Sequence, residues 1–327
     1  METTILKNNK ALITGCFGSV GTYMGEWLAR EHPEIEVHGV GRASRGLFDA
    51  GAARHRTHIM DLRARASVES LLATESFDVI FHFASDADVA GSFEHPVQVL
   101  DNNILSTAVL FEAVRRVSPA TTVVLASTSE VYGSCADGLP VDETAPIAPA
   151  NPYAVSKAAQ DLLAAAYFAA YGIRIVRVRM FTYFNPRRVN LFSSAFARQI
   201  AEIETGRRDV LRHGNLESRR TFVDVLDACA AYWLAYEKGR AGEAYNVGAD
   251  EPRSVGEILE ALVARATRPI RCVPDPALFR PTDVKAQIPV CAKFHRETGW
   301  RPMVPMRDSV TALLAYWRAV VKSEIAA

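Results

Sequence analysis

A tyrosine and a lysine four residues apart, in Tyr153-Ala154-Val155-Ser156-Lys157, are the side chains of this sequence best suited to proton transfer. Positions i and i+4 share one face of a helix, so the phenol and the ammonium point the same way. A lysine cation beside a tyrosine favours the phenolate and lowers its pKa. A phenol tuned in this way exchanges a proton with an alcohol or ketone near neutral pH. Upstream, Ser127-Thr128-Ser129-Glu130-Val131-Tyr132-Gly133 follows a β-branched run. There the Thr128 hydroxyl can hold a substrate oxygen while Tyr153 exchanges its proton, and Glu130 can act as a base or an acid.

Near the start, Thr14-Gly15-Cys16-Phe17-Gly18-Ser19-Val20-Gly21 joins a short apolar run to an amphipathic one, with glycines spaced G-x-x-G-x-x-G. Such glycines make a tight turn, let the backbone approach a pyrophosphate and let a helix pack on its strand. The unpaired N–H groups at that helix's N-terminus then face the phosphates. Gly15, Phe17, Gly18, Ser19, Val20 and Gly21 are thus expected to hold a dinucleotide. Where the second strand ends, at Val40-Gly41-Arg42-Ala43-Ser44-Arg45, no carboxylate is present to accept the ribose hydroxyls of NAD. Arg42, Ser44 and Arg45 suit a 2′-phosphate instead, so NADP is the expected cofactor, with NAD the alternative. Asp61 and Leu62, after the third strand, are expected at the adenine edge.

The elements that must position these groups follow from the hydrophobic pattern. Strands are expected at Ala11–Thr14, Ile35–Val40, His58–Met60, Val79–Ala84, Val123–Thr128 and Ile173–Met180. Helices are expected between them at Ser19–Glu31, Arg65–Ala73, Pro96–Val117 and Tyr153–Tyr171. This alternation predicts an α/β fold with a doubly wound parallel (Rossmann) sheet, which binds ligands beyond the carboxyl ends of its strands. After Met180 the rhythm changes to helices at Leu191–Glu204, Asp224–Glu237, Ser254–Ala266 and Asp308–Val321, one strand at Ala244–Val247 and proline-rich loops. The expected division is a dinucleotide-binding domain over 1–180 and a smaller α+β substrate lobe over 181–327.

Composition narrows the function. The 37 basic residues match 37 acidic ones, which gives no electrostatic footprint for nucleic acid or an anionic membrane surface. Five cysteines, Cys16, Cys135, Cys229, Cys272 and Cys291, are widely spaced with no Cys-x-x-Cys pair, arguing against a disulfide scaffold or structural zinc. The opening Met1-Glu2-Thr3-Thr4 lacks a signal-peptide pattern, and no run of about 18 apolar residues occurs. A cytoplasmic enzyme without a metal is expected.

With these motifs in place, the chain resembles the extended short-chain dehydrogenase/reductases of the nucleotide-sugar epimerase/dehydratase branch. The resemblance runs through the glycine turn, His82-Phe83-Ala84-Ser85, Asp101-Asn102-Asn103, Ser127–Gly133 and Asn151–Lys157. In the second half, Phe196–Ile203, Gly214–Glu217, Ala244–Gly248 and Arg280-Pro281-Thr282-Asp283-Val284 resemble GDP-4-keto-6-deoxymannose reductases and GDP-mannose 4,6-dehydratases. The resemblance implies catalytic roles for Thr128, Tyr153, Lys157 and Glu130. It implies cofactor contacts from Phe83, Ala84, Ser85, Asn103 and Lys157. It also implies substrate contacts from Asn185 and Arg187, and a diphosphate grip by Arg220 and Arg280, where guanidinium pairs with phosphate as a fork. A homodimer, or a dimer of dimers, through the long helices is implied as well.

The sequence departs from those relatives on the substrate side. Phe181-Thr182-Tyr183-Phe184-Asn185-Pro186-Arg187 stands where they usually read Phe-Asn-His-Thr-Gly-Pro-Arg, and Thr221 replaces the aspartate of Arg-Asp-Phe. The expected activity is reduction of the C4 ketone of a GDP-linked 4-keto-6-deoxyhexose. The alternatives are a nucleotide-sugar dehydratase or epimerase that recycles its cofactor, with Glu130 participating, and, more remotely, a non-catalytic dinucleotide sensor.

Overall fold

The computed structural model describes residues 8–42, 55–134, 139–279 and 284–326. Of the residues named above, Met1, Glu2, Thr3, Thr4, Ala43, Ser44, Arg45, Cys135, Arg280, Pro281, Thr282 and Asp283 lie outside this set. In chain order the strands are β1 (Lys10–Thr14), β2 (Glu36–Gly41), β3 (His55–Ile59), β4 (Val79–His82), β5 (Thr122–Thr128), β6 (Ile175–Met180) and β7 (Tyr183–Phe184). They continue as β8 (Leu211–His213), β9 (Arg219–Thr221), β10 (Val223–Asp224), β11 (Ala244–Val247), β12 (Pro252–Ser254), β13 (Cys272–Pro274) and β14 (Ala286–Gln287). The helices are α1 (Ser19–Glu31), α2 (Arg65–Thr74), α3 (Gly91–Glu94), α4 (Pro96–Leu100), α5 (Ser106–Val117) and α6 (Pro152–Tyr171), then α7 (Phe192–Glu204), α8 (Val225–Lys238), α9 (Val255–Val263), α10 (Ala292–Thr298) and α11 (Met306–Ala326).

Seven strands form one parallel sheet in the order β3-β2-β1-β4-β5-β6-β11. Its inner strands β1, β4 and β5 read as nearly continuous apolar runs because both faces are covered, whereas the edge strand β3 is polar and partly exposed. Successive residues enter opposite cores. Ile13, Phe81 and Val124 pack with Met24 and Leu28 of α1 and Trp233 and Tyr236 of α8. Leu12, Ile80, Val123 and Leu125 pack with Leu71 of α2, Phe111 and Val114 of α5 and Ala164 of α6. A third core joins Phe196 and Ile200 of α7, Ile258 and Leu262 of α9, and Leu313 and Trp317 of α11.

The doubly wound parallel sheet agrees with expectation; other features do not, and beyond Met180, where one strand was expected, the described residues form seven short strands besides β11. The run Pro96–Val117 is not one helix, because a π-helical turn, Asp101–Leu105, separates α4 from α5. Apolar periodicity across the segment does not register one such local widening. Helix α8 and strand β11, both from the second half, complete the large sheet and its helical layer.

Candidate active site

Strand β1 ends at Thr14 and the chain turns at Gly15, whose φ of +70° is a left-handed conformation that side chains rarely adopt. A Cβ there would also lie 2.8 Å from the Ala84 backbone nitrogen. At Gly21 a Cβ would strike the Gly15 carbonyl, so this glycine lets α1 close on the turn. Gly18 is the N-cap of α1 and has no side chain to satisfy the first-turn N–H groups. Those donors and the helix dipole are left for an anion. A pyrophosphate therefore fits this turn.

A cleft of about 330 Å³ runs from here past the end of β2, lined by Phe17, Arg42, Asp61, Leu62, Ala84 and Ser85 among others. Arg42 is exposed there. The Arg63 guanidinium grips Asp61, with Nη2 2.7 Å from Oδ2, and reaches Asp101 at 2.6 Å. Hydrogen bonds from the Arg63 side chain and backbone hold the Asp61 carboxyl below its usual range. Asn103 does not line either cleft. It is fully buried in the π turn and donates to Asp86 O at 3.0 Å and Ser156 Oγ at 2.9 Å, while its oxygen accepts from Asp86 N at 2.6 Å. It locks the loop after β4 onto α6.

A second cleft, of about 290 Å³, adjoins the first at the glycine turn. It gathers Ser19, Val20, Phe83 and Ser85 with Thr128, Glu130, Tyr153, Lys157, Tyr183, Arg188 and Gln287. Thr128 ends β5, and its hydroxyl caps the following turn by accepting from Glu130 N at 3.3 Å. Asn151 caps α6, accepting from Ala154 N at 2.8 Å, and Pro152 fills the first helical position. This start fixes Tyr153 in the first turn, and Lys157 follows on the same face. The Asn151 amide also donates to Glu130 Oε2 at 3.2 Å, while Gln287 Nε2 donates to Oε1 at 3.1 Å. Both carboxylate oxygens are thus engaged by amides.

The electrostatics differ from the sequence expectation. Burial pushes the Tyr153 phenol up to about 12; Arg188 is the charge that opposes it most, Glu130 and Tyr183 reinforce the rise, and a Thr128 hydrogen bond lowers it. Burial pushes the Lys157 ammonium down to about 7, against the pull of Asp161 and with Arg188 adding to the fall. Among the neighbouring charges, Arg188 lowers the Tyr153 pKa most. Its guanidinium is tethered by Nη2 to Ala87 O at 2.9 Å. As the second arginine of an adjacent pair, Arg188 carried no sequence signal that distinguished it from a solvated residue.

One turn after Lys157, buried Asp161 accepts from Ser127 Oγ at 2.7 Å, from Arg177 Nη1 at 2.9 Å and from Arg179 Nε and Nη2 at 3.0 and 2.9 Å. Arg179 also donates to the Tyr132 hydroxyl at 2.8 Å, which donates to Asn246 at 2.7 Å. This buried network braces α6 against β5, β6 and β11. The alternation Ile175-Val176-Arg177-Val178-Arg179 was its only trace in the sequence, since an arginine inside a buried strand needs a partner.

Three expected substrate residues lie away from the clefts. The Arg187 guanidinium stacks on the Tyr23 ring, 4.1 Å from its centroid, and pairs with Glu26 at 2.8 Å, tying the loop after β7 to α1. Asn185 is fully buried and accepts from Arg187 N at 3.1 Å, so it shapes that loop. Arg220, on β9, donates to Arg219 O at 2.8 Å and Val284 O at 3.0 Å. Among the described residues, no group of three or more His, Cys, Asp or Glu is placed to hold a metal ion. No helix among them is long and apolar enough to cross a membrane.

Comparison with known proteins adds to this geometry. A family model described as GDP-mannose 4,6 dehydratase matches residues 12–313. The chain is 30% identical to the GDP-6-deoxy-D-mannose reductase of Pseudomonas aeruginosa, over 96% of this chain and 99% of that protein. It is 28% identical to the GDP-mannose 4,6-dehydratase of Vibrio cholerae, over 93% and 92%. Among solved structures, RMD from Pseudomonas aeruginosa complexed with NADPH superposes with a TM-score of 0.83 at 28% identity, covering 95% of this chain and 99% of that one. The dTDP-glucose 4,6-dehydratase DesIV from Streptomyces venezuelae, with NAD bound, gives a TM-score of 0.83 at 26% identity over 95% and 97%.

Proposed function

The chain belongs to the GDP-mannose 4,6 dehydratase family of NAD(P)-dependent sugar-nucleotide enzymes, and on that premise we propose that it is a reductase acting on the C4 ketone of a GDP-linked 4-keto-6-deoxyhexose. The observation that carries this reading is the shared cleft: Thr128, Tyr153 and Lys157 line one cavity with the glycine turn. NADP is the proposed cofactor, supported by the uncapped turn at Gly18 and by Arg42 standing where NAD-specific chains place an acid. Bound nicotinamide supplies hydride chemistry at the sugar carbon.

The protein's own groups handle the proton. Thr128 holds the ketone oxygen, and Tyr153 gives that oxygen its phenolic proton. The phenolate left behind faces Arg188, a preorganised positive charge where negative charge develops. Lys157, pushed by burial to titrate near neutrality, restores the proton to Tyr153. Glu130 is assigned no proton in this scheme, which agrees with the amide donors engaging both of its oxygens.

A second reading, a dehydratase or epimerase with internally recycled cofactor, is favoured by one observation: Glu130 lines the same cleft as Tyr153. An absorbance assay with NADPH and GDP-4-keto-6-deoxymannose separates the two. The reductase consumes NADPH stoichiometrically with the sugar, and Tyr153→Phe abolishes that loss. Conversion of GDP-mannose to a keto sugar without net NADPH loss would establish the second reading in its place.

The homodimer is also a proposal. Val97 (77% exposed) on α4, Leu105 (44%) on the π turn, and Val155 (42%) and Leu162 (54%) on α6 are apolar side chains left in solvent on helices that pack together. A second copy related by a two-fold axis would bury them in a four-helix contact.

A further inference from the structure

We propose that Phe17 is a specificity-determining residue for the cofactor, its ring filling the space that an acidic side chain at the end of β2 would need, an inference that rests on the NADP reading above. Dinucleotide-binding folds that select NAD carry an acid about 20 residues beyond the glycine turn, where the second strand ends, and that acid accepts the ribose hydroxyls. Here Gly41 and Arg42 stand at that end. Arg42 explains why a 2′-phosphate is welcome. Gly41 and Phe17 explain why the acid has no place.

Gly41 is the last residue of β2 and pairs with Ile59 of β3. Its conformation is that of a strand, which any residue adopts, so the backbone does not require glycine there. Space does. A Cβ on Gly41 would lie 2.8 Å from Phe17 Cε2 and nearer still to Cδ2. Carbon atoms rest at roughly 3.5–4 Å, so the two cannot coexist as placed. A glycine inside a strand often marks such a close approach. The ring has little freedom to move aside. The turn that carries it is pinned to β2, because Gly15 N and Cys16 N both donate to Val40 O, at 2.8 and 3.2 Å. The end of β2 is pinned from its other side by Met60 N, which donates to Gly41 O at 3.0 Å. Phe17 itself packs against the core that α1 and α8 share. Its open side is the cofactor cleft, which Phe17, Gly41 and Arg42 all line. A carboxylate set at position 41 therefore meets the ring or drives it into the cleft. Neither arrangement leaves an acid free to accept ribose hydroxyls.

The test is the affinity of the full-length protein for NADPH and for NADH, read from the fluorescence of the bound nicotinamide. Wild type is compared with Phe17→Ala, Gly41→Asp and the double variant Phe17→Ala/Gly41→Asp. Gly41→Asp is expected to bind NADH no better than wild type does. The double variant should bind NADH about tenfold more tightly than Gly41→Asp, as one bond from a carboxylate to a ribose hydroxyl provides. Phe17→Ala alone should still prefer NADPH, since Arg42 is intact. Thermal unfolding of Gly41→Ala isolates the steric part without a charge. That variant should lower Tm in the wild-type background and lower it far less in the Phe17→Ala background, the non-additivity of two groups in contact. Equal NADH affinity of Gly41→Asp with and without the ring overturns the proposal, and so does a Gly41→Ala loss as large in Phe17→Ala as in wild type. A wild type that prefers NADH overturns the NADP reading instead. The two Gly41→Asp proteins are compared with NADH alone, so they still decide whether the ring bars the acid.

Discussion

Tyr153 occupies surroundings that make its phenol a weaker acid than free tyrosine, because burial outweighs the charges that would favour the phenolate. The sequence suggested the opposite, from the lysine four residues on. Proximity on a helix face is not enough, since Lys157 is itself 3% exposed and loses its charge readily. Arg188 keeps its charge when buried, as lysine does not. Removing that cation favours the neutral phenol, so the pKa of Tyr153 moves further up and proton donation slows. Arg188→Met is therefore expected to lower kcat roughly 100- to 1000-fold, in the range typical of a lost preorganised donor. Arg188→Lys should recover part of that loss. Single-turnover NADPH oxidation measures both, and an unchanged rate in Arg188→Met would remove Arg188 from the proton transfer.

At the scale of elements, α6 couples stability to catalysis through its N-cap. Asn151 serves two partners: its oxygen caps the helix at Ala154 N, and its amide donates to Glu130. Asn151→Ala loses both and is expected to lower unfolding free energy by about 1 kcal/mol. Asn151→Asp keeps a capping oxygen but sets a second carboxylate beside Glu130, so urea unfolding should stay near wild type while kcat falls. Equal effects of the two variants on stability would show that the cap is not what holds this end of the helix. The π turn between α4 and α5 belongs to the same scale. Its Asn103 is buried with its amide and oxygen both bonded, and it joins the loop after β4 to Ser156 of α6. The motif was legible in the sequence; its bonds to the loop after β4 and to Ser156 were not, because type and spacing do not say which way a side chain turns.

For the whole molecule, the exposed apolar residues of α4 and α6 set a prediction about assembly. Leu162→Arg puts a charge into the proposed two-fold contact and should convert dimer to monomer in sedimentation velocity, with the circular dichroism spectrum unchanged. A wild-type monomer would refute the proposed contact outright. The sequence alone determined the parallel α/β sheet, the glycine turn and the Thr128, Tyr153 and Lys157 constellation, because these depend on period, turn chemistry and spacing along neighbouring segments. Tertiary structure decided the rest. It turned Arg187 onto Tyr23 and Glu26 and brought Arg188 into the cleft, although the two are adjacent in sequence. It wove α8 and β11 into the large parallel sheet and its helical layer. It brought Gln287 to Glu130 across 157 residues. Side-chain direction, burial and long-range contact are properties of packing, and packing is the one quantity that a local reading of residues does not contain.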